Sequence, residues 1–271
     1  MNEPSPLSTT ASPMASKAST SLADLLAILA AKRLLMTPRK DDKSDLRESI
    51  NRLVQQRSKS NGPTDRWSES QLAAKARSDQ VEREMRGHEH FAKAGVPKLH
   101  RDRLRSLSTD GRYAAWAAQW KALAAHVDDP DGCLVAMAGT RGAGKTQLGV
   151  CAIDRMCRGR GYSAMYVEAP FLFMQIRDSF RDSGGEAKCY RRFTAPQLLF
   201  IDQMEERKHS EAEDRMLFSI VNKRYADCRH TIIASNESLV ALSASLGASI
   251  VGRINETGVF IECCWEDLRC S

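Results

Sequence analysis

The sequence predicts an α/β fold: a parallel sheet flanked by helices, with a small helical region ahead of it. Two observations carry this reading. Five short apolar runs in the later part of the chain alternate with helical patterns, and such alternation builds parallel strands covered on both faces by crossover helices. The first run also opens directly into a glycine-rich turn followed by a helical stretch, an arrangement that aims backbone N–H groups and a helix dipole at an anion.

The apolar runs are Cys133 to Ala138, Ser163 to Val167, Leu198 to Ile201, Thr231 to Ala234 and Gly258 to Ile261. Each has strand length and lacks the alternation of a strand with one wet face. A helical segment from Arg112 to His126 precedes them. Residues 1–20, rich in Ser, Thr, Pro and Ala, offer nothing periodic to bury and read as a disordered tail. Residues 21–93 read as a basic helical region suited to gripping a partner. Its first helix starts at Ser21 and uses Leu22, Leu25, Leu26 and Leu29; Pro38 closes it. A second helix covers about Ser44 to Gln56, and a third, highly charged, runs from about Ser68 to Arg86. Residues 94–271 then form the larger domain.

Charge supports this division. The 271-residue chain carries a formal charge of +6, and Lys32 to Arg105 alone hold 19 basic against 11 acidic residues. The positive balance therefore lies early, where it can meet polyanions. The longest apolar stretch, Leu22 to Met36, is interrupted by Asp24, Lys32 and Arg33, so it is too short and too polar to span a bilayer. The eight cysteines never form C-x-x-C, which argues for reduced thiols in a cytoplasmic protein and against structural zinc. His88 and His90 lack further ligand spacing, so they make a poor metal site.

The first strand leads into Gly139-Thr140-Arg141-Gly142-Ala143-Gly144-Lys145-Thr146, then Gln147 and a helical run. This is the G-x-x-x-x-G-K-T phosphate-binding loop in the strand–turn–helix context it requires. Its glycines let the backbone approach phosphates closely, Lys145 reaches the β- and γ-phosphates of ATP, and the Thr146 hydroxyl ligates Mg²⁺. Such a site needs a carboxylate from a neighbouring strand to hold the metal, and Leu198-Leu-Phe-Ile-Asp202 supplies one. The following residue is Gln203. An amide orients water but cannot take its proton. Either hydrolysis is slow, or Glu205 or Glu206 substitutes, or the water is merely positioned; retained but slow turnover is the reading favoured here.

With these residues placed, Phe91 to Ser271 resembles the DnaC-type replicative helicase loaders and the IstB-type transposition ATPases of the AAA+ class. The resemblance rests on Ala94-Gly-Val-Pro-Lys-Leu-His100, on Tyr166 to Arg177, on Ile201 to Glu213, on Thr231-Ile-Ile-Ala-Ser-Asn236, on Val251-Gly-Arg253-Ile254 and on the closing Trp265-Glu-Asp-Leu-Arg269. It implies a P-loop NTPase fold of AAA+ type, with Asn236 sensing the γ-phosphate or its water. It also makes Arg253 an arginine finger that reaches the nucleotide of a neighbouring subunit, hence a homo-oligomer. Gln203 departs from the family's acidic residue, and Ser249 stands where some loaders carry an additional Arg.

The resemblance further implies single-stranded DNA as one partner and a replicative helicase, gripped by the N-terminal region, as the other. Arg155, Arg158, Arg160, Arg177 and Arg181 are the candidate phosphate contacts, with Arg191 and Arg192 beside them. The expected function is a slow, ATP-dependent helicase loader. The alternatives are a transposition ATPase of the IstB type and a non-hydrolysing, ATP-bound DNA adaptor.

Overall fold

In the computed structural model the described residues are 69–104, 111–181 and 184–268. The two earlier helices expected over residues 21–56, the Ser/Thr/Pro-rich start and Arg269 lie outside them. In chain order the elements are α1 (Glu69–Lys93), α2 (Lys98–Arg103), α3 (Ala114–Val127), β1 (Leu134–Gly139), α4 (Lys145–Asp154), β2 (Ala164–Glu168), α5 (Ala169–Ser179), α6 (Gly185–Thr194), β3 (Leu198–Asp202), α7 (Glu211–Ala226), β4 (His230–Ala234), α8 (Leu239–Thr257) and β5 (Val259–Cys263). All five expected strands are present, shifted by a residue or so. No helix among the described residues is long and apolar enough to cross a membrane.

The strands form one parallel sheet in the order β2-β3-β4-β1-β5. Parallel neighbours require crossovers, and the crossover helices cover both faces. β1, β3 and β4 are buried along their whole lengths, which is why their sequences are apolar without alternation. Successive side chains nevertheless divide between two cores. Val135, Met137, Leu198 and Phe200 join α3, α4 and the end of α1 on one face. Leu134, Ala136, Leu199 and Ile201 join α5, α7 and α8 on the other.

Helix boundaries follow local chemistry. Ser210 caps α7 by accepting the Glu213 N–H at 3.3 Å, and Glu211, Glu213 and Asp214 occupy the first turn, where the dipole favours acids. Ser238 caps α8 in the same way through the Ala241 N–H at 3.2 Å. α8 breaks at Gly247, whose φ of 78° is not helical. α4 docks against β3 through Gly149, where a Cβ would meet the Phe200 ring at 2.2 Å; a bare backbone is what allows this helix to lie so close to the sheet.

α1 runs past the expected Arg86 to Lys93 because its last turns acquire a tertiary role. Phe91, Ala94 and Val96 are buried with the α4-side core. The Arg158 guanidinium lies 4.3 Å from the centre of the Phe91 ring, and the Tyr166 N–H donates to the Ala94 carbonyl at 2.7 Å. A charged surface helix shows no such anchor until its last turn is seen packed.

One arginine fastens the opposite end of the sheet. Arg224 is fully buried. It donates to Thr231 Oγ1 at 2.9 Å and to the carbonyls of Phe193 at 3.0 Å and Pro196 at 2.8 Å, and also to His230 O. It thereby ties α7 to the α6–β3 connection and to β4, satisfying backbone oxygens a lysine could not reach together. His230 is buried beside it, its Nδ1 3.2 Å from Cys133 Sγ. Burial, with the nearby Arg160 and Arg224 charges, pushes its imidazole down to about 4.

Two outcomes are expected. Arg224→Met should destabilise the fold by about 3 kcal/mol or more, since its bonds to several buried backbone carbonyls are lost; thermal unfolding should register this as a fall of roughly 6 °C or more. Between about 6.5 and about 4 the unfolded chain binds a proton at His230 that the folded chain excludes. Stability contributed by the neutral imidazole is therefore complete above about 6.5 and drains away on acidification. Urea midpoints measured across that window should fall for the wild type and fall less for His230→Gln.

Candidate nucleotide-binding site

The C-terminal ends of β1, β3 and β4 converge on one location, and each delivers part of the expected site. β1 ends at Gly139, and the chain turns through Gly144, whose φ of 81° places it in the left-handed region, before α4 begins at Lys145. The turn is held from outside. Trp116 Nε1 donates to the Gly144 carbonyl at 3.2 Å, Trp265 Nε1 to Ala143 O at 3.0 Å, and the Leu268 N–H to Gly142 O at 3.1 Å. Thr140 adds an N–H bond of 3.1 Å to Cys263 O and a hydroxyl bond of 3.3 Å to Trp265 O. In a trans peptide the C=O and N–H point oppositely. With the Ala143 and Gly144 carbonyls bound outward, the N–H groups of Gly144 and Lys145 face into the loop, the polarity an oxyanion requires.

Lys145 is only 5% exposed, and its Nζ donates to Gly139 O at 2.9 Å and Thr140 O at 2.7 Å. No carboxylate pairs with it among the described residues. Burial draws its pKa below the ordinary lysine value, opposed by the nearby Cys263, Glu205 and Asp202. A buried ammonium bonded only to carbonyls is a cation in want of an anion, and phosphate oxygens supply that charge.

Asp202, at the end of β3, is 4% exposed. Its Oδ2 accepts the Thr146 hydroxyl at 2.8 Å and the Tyr166 hydroxyl at 3.2 Å, and its Oδ1 accepts the Gln203 N–H at 3.0 Å. Burial raises its pKa, and those three hydrogen bonds resist the rise. The Thr146 hydroxyl and the Asp202 carboxylate are hard oxygen donors side by side. No group of three or more His, Cys, Asp or Glu that could hold a metal occurs among the described residues. This donor set fits Mg²⁺, which takes few protein ligands and keeps several waters.

Gln203 adopts a left-handed backbone, φ 56°, and starts the short turn Met204–Glu206. That turn swings Glu205 toward β4, where its carboxylate accepts the Asn236 N–H at 2.9 Å and also the Asn236 side-chain amide. Glu206 instead lies 3.4 Å from Arg141 of the loop, both side chains being exposed. Gln147 spends its side chain on α2, donating to His100 O at 3.3 Å.

Arg253 stands elsewhere. It bonds Asn222 Oδ1 and stacks on Phe218 and Tyr225, 5.2 and 5.3 Å from their ring centres. Those residues lie toward the end of α7, which leads into the start of β4, so Arg253 sits at the opposite end of the sheet from Lys145. The five candidate DNA arginines do not form one patch. Arg155 and Arg160 pair with Asp128, and Arg158 with Asp154, on the α4 side. Arg177 pairs with buried Glu213 at 2.8 Å, and Arg181 with Asp178 at 3.8 Å, across the sheet on α5.

Trp116, Trp265 and Tyr166 carry no role in the sequence reading, and neither does the contact between Glu205 and Asn236, though each of those two residues is singled out there. Each acts through a partner on another element, and no spacing rule announces such partners.

The match to known proteins now has a geometric setting. The family model described as "IstB-like ATP binding protein" matches residues 44–253, which include the loop, Asp202, Asn236 and Arg253. The chain belongs to the IstB-like family of ATP-binding proteins. Among characterised sequences, this IstB-like chain is 25% identical over 197 residues to the replicative helicase loader DnaC of Escherichia coli strain K12, covering 69% of this chain and 78% of that one. It is 30% identical over 113 residues to the insertion sequence IS5376 putative ATP-binding protein of Geobacillus stearothermophilus, covering 42% and 44%. The crystal structure of the DnaC helicase loader superposes with a TM-score of 0.52 at 19% identity, covering 62% of this chain and 99% of that one, and shares the fold.

For this IstB-like protein, Lys145→Ala removes the charged donors from the loop while leaving its backbone intact. The expected result is a loss of ATP affinity of about tenfold or more, measured by titration calorimetry with magnesium present.

Proposed function

We propose that this protein loads a replicative DNA helicase, with ATP and Mg²⁺ bound at the loop acting as its conformational switch. The observation that carries the proposal is the buried, carboxylate-free Lys145 beside the Thr146–Asp202 pair, in a chain that aligns with 78% of a named helicase loader. In this reading the N–H groups of Gly144 and Lys145 cradle phosphates, and Lys145 meets the β- and γ-phosphates. Thr146 and Asp202 hold the metal, which neutralises charge on the transferring phosphoryl group. Gln203 gives slow turnover, and Asn236 reads the γ-phosphate.

Arg253 serves a neighbouring copy. Its place at the far end of its own sheet, stacked on two aromatic rings, suits presentation to another subunit's nucleotide, and a guanidinium suits phosphoryl charge. The basic residues 21–93 grip the helicase. Single-stranded DNA is met through phosphate contacts; Arg181, 84% exposed, is freer to make them than Arg155, Arg158 or Arg160, whose charges are engaged within the chain.

The insertion-sequence relative favours a second reading, in which the same core serves a transposase. The shorter alignment, under half of either chain, places it behind the first. The two readings part experimentally on partner. The full chain with ATP and Mg²⁺ should co-elute with the hexameric replicative helicase of its host, and Lys145→Ala should lose most of that complex. Co-elution with a transposase and none with the helicase reverses the order.

A further inference from the structure

Hydrolysis of the γ-phosphate requires a group that takes a proton from water, and Gln203, placed directly after Asp202, cannot. The left-handed turn at Gln203 carries the chain into Met204–Glu206; Met204 is buried, and Glu205 reaches Asn236. Its carboxylate bonds both the backbone N–H and the side-chain amide of Asn236, the residue at the end of the strand between β1 and β3. Its charge is felt at Lys145 and Asp202 alike. Glu206 is turned away toward exposed Arg141, and Glu168, at the end of β2, lies against the Tyr166 hydroxyl at 3.4 Å. Of the carboxylates around the loop, Asp202 is occupied by Thr146 and Tyr166. Glu205 is the carboxylate that bonds Asn236, and it is near enough to both Lys145 and Asp202 to act on their charges.

We infer that Glu205, three positions beyond Asp202, is the general base for ATP hydrolysis, and that Asn236 holds it until nucleotide arrives. The inference rests on the proposed ATPase reading. The water oxygen forms a bond to the γ-phosphorus as the bond from that phosphorus to the β,γ-bridging oxygen breaks. The water's proton passes to the Glu205 carboxylate, and the bridging electron pair leaves with ADP beside Lys145. Asn236, once its amide turns to the γ-phosphate or the water, releases the carboxylate for that transfer. A site of this kind turns over without an acid at position 203.

The test compares ATP turnover and ATP affinity in the full-length wild type, Glu205→Gln and Glu206→Gln, with and without single-stranded DNA. Both Glu205 oxygens accept from Asn236; glutamine keeps one of those two acceptors and has no proton-accepting carboxylate, so the ATP Kd reports any structural loss and kcat the loss of the base. The expected result is a fall in kcat of about 100-fold or more in Glu205→Gln, with ATP Kd within about threefold of wild type. A kcat within about threefold of wild type in Glu205→Gln overturns the inference, as does a loss confined to Glu206→Gln. ATP binding by the wild type with no turnover under either condition overturns it as well, while leaving the nucleotide site standing. Absence of ATP binding by the wild type sinks the ATPase reading itself.

Discussion

A buried ammonium with no carboxylate partner among the described residues governs this structure. Lys145 lies at the junction of β1 and α4 with only the carbonyls of Gly139 and Thr140 to bond. An uncompensated charge is expensive to bury, so the surroundings must keep it hydrogen-bonded while leaving room for an anion. Gly144 in a left-handed conformation, the helix start at Lys145 and inward-facing amides meet both demands. The negative counterpart, Asp202, is equally buried and stands opposite through the Thr146 hydroxyl. Asp202's charge is felt at Lys145, and the Thr146 hydroxyl beside it supplies a second hard oxygen donor for a metal.

The rest of the architecture keeps that junction rigid. Two indole N–H groups, from α3 and from the segment after β5, bind consecutive loop carbonyls. Trp116 and Trp265 lie far apart along the chain, so the loop is held by elements from both sides of the sheet sequence. Gly149 lets α4 press onto Phe200 of β3, which fixes the distance between Lys145 and Asp202. At the other end, Arg224 gathers five backbone carbonyls and pairs with no carboxylate among the described residues. Among the described residues, Lys145 and Arg224 are thus buried cations bonded to protein oxygens, Lys145 through two bonds and Arg224 through six.

The arginines illustrate why charge alone is a poor guide to partners. Five basic residues placed close in sequence suggest a phosphate-binding strip, yet the sheet separates them into two sets, and each makes an ion pair within the chain. Arg253 shows the converse. Nothing in its spacing indicates where it lies relative to the loop, but its packing on Phe218 and Tyr225 puts it at the far end of the sheet from that loop.

The linear order of residues determined whatever needs only neighbours along the chain. The loop from Gly139 to Thr146 is legible because phosphate binding requires those residue types consecutively, between a strand and a helix. The strands are legible because burial on both faces leaves an unbroken apolar run. The division of labour among acids was decided only by the folded sheet. β4 lies between β1 and β3, and this brings Asn236 to Glu205, while β2 pairs with β3 in the register that brings Tyr166 to Asp202. Strand order is set by which crossovers bury the most apolar surface together. That sum runs over the whole molecule and leaves no mark on any single stretch of sequence.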